Sequence, residues 1–135
     1  MNAKPFLDTN ILVYAFTTGD RRNTIALNLL DDGGVVSVQV LNEFVNVSRR
    51  KLRFQWAEVE SALSALRTML GPPLPLTVDL HELAITLARD HRLAFYDALI
   101  VAAASRANCA ILLTEDMQHG RSIEGLTIRN PFLVA

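Results

Sequence analysis

The sequence predicts an α/β fold, a parallel sheet covered by helices on both faces, and three observations predict it. Short apolar runs alternate with segments of helical period. Two of those runs, Phe6-Leu7 and Ile111-Leu112-Leu113, lead straight into acidic segments, Asp8-Thr9-Asn10 and Thr114-Glu115-Asp116. In a parallel sheet the carboxyl ends of the strands share one edge, so acids far apart in sequence can meet there. The turn signals Asp32-Gly33-Gly34 and Gly71-Pro72-Pro73 fall between the periodic segments, not inside them.

Taken in order, strands are expected at 5–7, 35–38, 76–78, 110–114 and 126–128, with helices filling the gaps. Val59, Leu63, Leu66 and Leu70 mark one helix, which Gly71 ends. Asp79 is the expected N-cap of the next, whose core stripe is Leu80, Leu83, Ala84, Leu87 and Ala88. No internal repeat or low-complexity tract interrupts the pattern, and Pro72-Pro73-Leu74-Pro75 is too short to be an interdomain linker. The 135 residues suit a single domain over 1–135, and 50% hydrophobic with 20% charged residues is an ordinary soluble balance.

Composition also excludes. The single cysteine, Cys109, rules out an internal disulfide and reads as a small buried residue at a strand entrance, which points to a reducing, cytoplasmic setting. Met1-Asn2-Ala3-Lys4-Pro5 lacks the apolar stretch of a signal peptide, and the apolar run over 98–104 is far short of a membrane span, so no membrane partner is expected. A net charge of −1 and a pI near 6.3 give no global basic signature, so any nucleic acid must be bound through a local patch or a metal. Neither a phosphate-binding Gly-x-x-x-x-Gly-Lys run nor a dinucleotide Gly-x-Gly-x-x-Gly run occurs, and the three histidines lack zinc-site spacing.

Four acids carry the chemistry. Asp8 and Asp116 follow the strand candidates, Asp97 opens the nearly all-apolar segment that begins at Ala98, and Glu43 sits within Asn42-Glu43-Phe44. Each has a structural alternative: Asp8 as a helix N-cap, Asp97 as a first-turn acid beside the helix dipole, Asp116 in a surface turn. Over 39–53, Val40, Leu41, Phe44, Val45 and Ser48 share one helical face, while Gln39, Asn42, Glu43, Asn46, Arg49, Arg50 and Arg53 share the other if the helix persists that far. That stripe reads either as a solvated face with basic residues near a helix C-terminus or as a functional one. Its front is short amides instead of the Lys and Glu usual on an exposed helix, and a lone acid among amides suits a ligand held by neighbouring hydrogen bonds. Arg49, Arg50, Lys51 and Arg53 are then the candidates for guiding a phosphate backbone. His119, in the loop after Asp116, is a lesser candidate for touching substrate.

Phe6-Leu7-Asp8-Thr9-Asn10-Ile11-Leu12-Val13-Tyr14, Asn42-Glu43-Phe44, Tyr96-Asp97-Ala98-Leu99-Ile100 and Leu113-Thr114-Glu115-Asp116, in that order, resemble the acidic motifs of PIN-domain ribonucleases, in particular the VapC-type toxins of bacterial toxin–antitoxin pairs. The resemblance extends to the closing Gly125-Leu126-Thr127-Ile128-Arg129-Asn130-Pro131-Phe132. It implies a three-layer α/β/α sandwich with a mostly parallel sheet of about five strands. It places Asp8, Glu43, Asp97 and Asp116 at the family's metal-site and catalytic carboxylates, and Asn10 and Thr114 at its supporting polar positions. It further implies an RNA substrate, a homodimer and a cognate antitoxin protein. One departure is Ala94, where many relatives place a serine shortly before the third acid.

Elementary chemistry agrees. Oxygen-only ligands favour Mg²⁺ or Mn²⁺, which keep waters and bind a substrate phosphate through the remaining positions. Hydrolysis of a phosphodiester by a water so activated needs no covalent enzyme intermediate. The alternatives are a PIN-like domain that binds RNA or protein without cleaving, and a metal-dependent phosphatase. Against the latter, Asp8-Thr9-Asn10 lacks the second acid two residues on that haloacid-dehalogenase-type enzymes share.

Overall fold

A computed structural model describes residues 3–133. Met1 and Asn2, part of the segment read above as lacking a signal peptide, lie outside the described residues. The chain runs β1 (Phe6–Leu7), α1 (Thr9–Ala15), α2 (Arg21–Asp32), α3 (Val38–Arg50), α4 (Trp56–Leu70), α5 (Val78–His91), α6 (Phe95–Arg106), β2 (Ile111–Leu113), β3 (Ser122–Ile123) and β4 (Leu126–Arg129). Among the described residues no helix is long and apolar enough to cross a membrane.

The sheet has four strands in the order β1-β2-β4-β3, with β1 parallel to β2, β2 parallel to β4, and β3 antiparallel to β4. Phe6 pairs with Leu112 and Leu7 with Leu113, so the two strands end side by side. β2 and β4 carry the sheet's apolar residues Leu112, Leu113, Leu126 and Ile128, all at most 5% exposed. α6 packs on both strands and on α5, while α1 packs against α2 and α3. Residues 98–104 of α6 are all buried, as expected of a helix that is apolar on every side. Cys109 is a free, buried residue just before β2, as its setting implied.

Two expected strands shrink to bridges. Around 35–38 only Val35 pairs with Phe6 and Ser37 with Leu74, because the Ser37 hydroxyl caps α3 by accepting from Val40 N and helix begins at Val38. Around 76–78 pairing occurs earlier, at Leu74, because Thr77 caps α5 by accepting from Leu80 N. Thr77 takes the capping role expected of Asp79, which lies in the first turn. β3 went unforeseen; it returns through Glu124 and Gly125, whose φ values of 52° and 83° suit the two-residue hairpin turn that matches strand twist. Gly34 is required by close approach: a Cβ there would lie 2.7 Å from the Leu7 side chain and 3.1 Å from the Pro5 carbonyl.

Candidate active site

The parallel register of β1 and β2 sets the first contact of the site. Asp8 and Thr114 are the next residues beyond the paired Leu7 and Leu113, and the Thr114 hydroxyl donates to Asp8 Oδ2 at 2.8 Å. Asp8 Oδ1 accepts from Thr9 N at 2.7 Å, so Asp8 is the N-cap of α1 as well as a site acid. The two roles are compatible because a carboxylate has two oxygens to use. Thr114, fully buried, spends its remaining capacity accepting from Asn10 Nδ2 at 3.3 Å and Asp116 N at 3.1 Å. Asn10 also donates to Asp116 Oδ2 at 3.1 Å and accepts from Glu115 N at 3.1 Å. The two strand-end segments are thereby stitched into one unit.

Glu43 arrives from α3, and its partner is Thr9, the first residue of α1. The Thr9 hydroxyl lies 2.9 Å from Glu43 Oε2 and 3.3 Å from the Val40 carbonyl, so its single hydrogen is best spent on the carboxylate. Gln39, one turn before Glu43, also hydrogen-bonds it, which is how the amide-rich front of the stripe serves this acid. Asp97 enters from the first turn of α6. The four acids, with Asn10, Tyr14, Asn46, Arg50, Lys51 and Glu115 among their neighbours, line one pocket of about 530 Å³.

The carboxylates perturb one another. Burial, the largest cause, together with the charges of Glu43 and Asp116, pushes Asp8 up to about 6 against the hydrogen bonds from Thr114 and Thr9. Glu43 is also raised, first by burial and then by the charges of Asp97 and Asp116, with the Thr9 and Gln39 bonds opposing. Asp97 is raised by burial and by Asp116. Acids raised by burial and by one another gain from a bound cation, and every donor in the set is oxygen, the chemistry of a hard divalent ion. Among the described residues no three acids, histidines or cysteines already converge as a closed ligand cage.

The basic stripe is only partly as expected. Arg50 and Lys51 line the pocket, but α3 stops at Arg50 with Lys51 as its C-cap, and Arg53 sits beyond it at φ 58°. Arg49 turns away: its Nη1 donates to the Phe54 carbonyl at 2.8 Å and its guanidinium lies over the Trp56 ring. Arg49 leaves the pocket wall because Phe54 and Trp56 hold its guanidinium, and Arg53 because the helix ends before it. His119 is also outside the lining; its Nδ1 accepts from Asn130 N at 2.9 Å and ties the loop to the chain after β4.

Sequence reasoning missed Thr9 and Glu115, whereas Gln39 stood on the amide-rich stripe read as holding Glu43. Spacing carried a signal for Gln39, which precedes Glu43 by four residues. Glu115 is a fifth acid at the pocket, held by Tyr14 Oη at 2.5 Å and Arg22 Nη1 at 2.8 Å, with Arg22 also paired to Asp20. The Tyr14 hydroxyl is pushed up to about 12, first by burial and then by Glu115, so it remains a donor. Ala94 is the N-cap of α6 and provides no side-chain bond to it.

A profile of the PIN domain matches residues 6–121. No curated protein matches. Among solved structures, a toxin–antitoxin complex from Klebsiella pneumoniae is similar at 24% identity and a TM-score of 0.72, over 97% of this chain and 100% of that one. VapBC2 from Rickettsia felis, bound to a DNA fragment from its promoter, is similar at 23% identity and 0.67, over 93% and 96%. VapC20 from Mycobacterium tuberculosis, a sarcin-ricin loop cleaving toxin, is similar at 23% and 0.67, over 81% and 87%. At these identities the likeness establishes the fold.

Proposed function

This chain belongs to the PIN-domain family, and from that premise we propose that it is a divalent-metal-dependent endoribonuclease, the toxin of a toxin–antitoxin pair. The observation that carries the reading is the meeting of Asp8, Glu43, Asp97 and Asp116, from four separate parts of the chain, in one pocket where burial and mutual charge raise three of them. Asp8 also caps α1, but among the described residues none of the four acids is paired with a cation, so their shared charge is left for a ligand to balance.

Asp8, Glu43, Asp97 and Asp116 would hold the ion, with Thr114, Thr9 and Gln39 fixing the carboxylates that touch it. When bound, Mg²⁺ or Mn²⁺ supplies the Lewis acidity for in-line attack of water on a phosphodiester. Asp8, kept from bulk water, would be one of the carboxylates that hold the ion and orient the attacking water. Thr114 holds Asp8 in a single rotamer while it does so. Arg50 and Lys51, on the same pocket wall, attract the RNA backbone that the bare acids would repel. Solved relatives described as toxin–antitoxin complexes support an antitoxin partner for this chain, and one described as a sarcin-ricin loop cleaving toxin supports RNA as substrate. A homodimer belongs to the same reading.

The test is cleavage of total cellular RNA by the purified protein with Mg²⁺ or Mn²⁺ against chelator, wild type beside Asp8→Asn. Cleavage that needs both the ion and Asp8 supports the enzyme. Binding without cleavage in every ion tried sinks it in favour of a non-catalytic PIN-like domain.

A further inference from the structure

Trp56, the first residue of α4, is 58% exposed and is the chain's only tryptophan. A ring of that size contributes to a fold by being buried, so one left in water invites another use. Its setting is nonetheless ordered. The Arg49 guanidinium carbon lies 4.3 Å from the ring centroid, and Arg49 is itself anchored to the Phe54 carbonyl. The ring is thus backed on one face by a fixed cation. Arg50 and Lys51, both exposed, precede it by six and five residues.

The ring lies off the pocket wall but near it along the chain: Leu52 lines the pocket, and Trp56 follows it by four residues, at most roughly 14 Å of extended chain. Asn46 and Arg50 line that pocket, and Arg49 sits one turn beyond Asn46 on the exposed side of α3. Six residues of helix separate Glu43 from Arg49, a rise of roughly 9 Å.

We propose that Trp56, backed by Arg49, is a stacking platform for an unpaired nucleobase of the RNA, beside the bond-breaking pocket. The inference rests on the ribonuclease reading and names its substrate class as single-stranded or looped RNA. Stacking requires a base whose face is free, which a duplex does not offer, and every base has such a face. Arg50 and Lys51, on the pocket wall a few residues before the ring, suit the phosphates next to that base, and this positive charge favours a polyanion over an apolar protein segment.

Because Trp56 is the sole tryptophan, intrinsic fluorescence reports on it alone. With chelator present to prevent cleavage, the full-length protein is titrated with a short single-stranded oligoribonucleotide, with a duplex of equal length, and with inorganic polyphosphate. The single strand is expected to quench the emission, and polyphosphate to bind without quenching. Trp56→Leu is expected to bind the single strand about tenfold more weakly or worse, with Trp56→Phe retaining most of the affinity. An unchanged melting temperature in Trp56→Leu would assign the loss to the ring and not to the fold. Quenching by the duplex equal to that by the single strand, wild-type affinity in Trp56→Leu, or no quenching by any nucleic acid overturns the platform, the last leaving the ring to a protein partner. Metal-dependent cleavage is measured alongside. Cleavage without quenching removes the platform alone, whereas quenching without cleavage upholds the platform and removes the enzyme.

Discussion

The two sides of the pocket are built on different principles. On one side, Asp8, Asn10, Thr114 and Asp116 hang from the ends of adjacent parallel strands and bond to one another through a saturated Thr114 hydroxyl. On the other, Arg50 and Lys51 project from the last turn of α3, and their neighbours Arg49 and Arg53 point elsewhere. The difference teaches that a strand end is a better locator than a helix stripe. Register places two residues opposite each other whatever follows, but a stripe holds only while the helix does and while its long side chains find no other partner, as Arg49 does at Trp56.

Thr114→Val probes the strand side most severely. It removes a donor to Asp8 and an acceptor for Asn10 and Asp116 N from a fully buried position. Cleavage is expected to fall about 10- to 100-fold, as for loss of a group that orients metal ligands, with stability falling about 1–3 kcal/mol. A variant that melts lower but cleaves normally would make Thr114 a fold residue only.

Asp8→Asn sharpens the same side through pH. The folded carboxyl sits at about 6 against an ordinary 3.8. A raised value means that its contribution to stability is whole below the unfolded pKa and is lost as pH rises through the folded one, about 3 kcal/mol in all. Asparagine keeps the cap on Thr9 N, forfeits the Thr114 bond and carries no charge. Without metal, Asp8→Asn should therefore melt no lower than wild type near pH 7 but lower than wild type near pH 4. Parallel melting curves at both pH values would show that Asp8 bears no burial cost. At neutral pH, Mg²⁺ or Mn²⁺ should raise the wild-type melting temperature and the variant's much less.

The basic side is tested by paired charge reversals. Arg50→Glu with Lys51→Glu should weaken RNA binding and reduce the slope of log K against log salt by about 1.4, the value for two single-strand phosphate contacts. Arg53→Glu, off the wall, should leave the slope close to wild type. Equal effects from the two variants would restore the longer stripe.

The smallest effect belongs to Ala94→Ser. A hydroxyl at the uncapped start of α6 should stabilise the protein by about 1 kcal/mol, or about 4 °C in Tm. A Tm no higher than wild type would mean that the serine does not cap α6 beside Asp97.

Apolar runs ending in acids made β1, β2 and the placement of Asp8 and Asp116 legible, because a strand's apolar composition and its end are both local properties. The stripes of α4 and α5 were legible for the same reason: Val59, Leu66, Leu80, Ala84 and Leu87 recur at helical spacing and are buried. What the sequence could not disclose is which of two competing local structures prevails. Residues 35–38 and 76–78 read as strands, but Ser37 and Thr77 cap helices there, and capping depends on where the chain turns in three dimensions. The bond from Thr9 to Glu43, the capture of Glu115 by Tyr14 and Arg22, and the stacking of Arg49 on Trp56 join residues whose separations in sequence carry no periodic signal. The sequence by itself determined which carboxylates lie at the sheet's edge, since hydrophobicity and strand length suffice for that. Tertiary structure alone decided which side chains hold them and which cations face them, because each hydrogen bond and each rotamer answers to neighbours supplied by other elements.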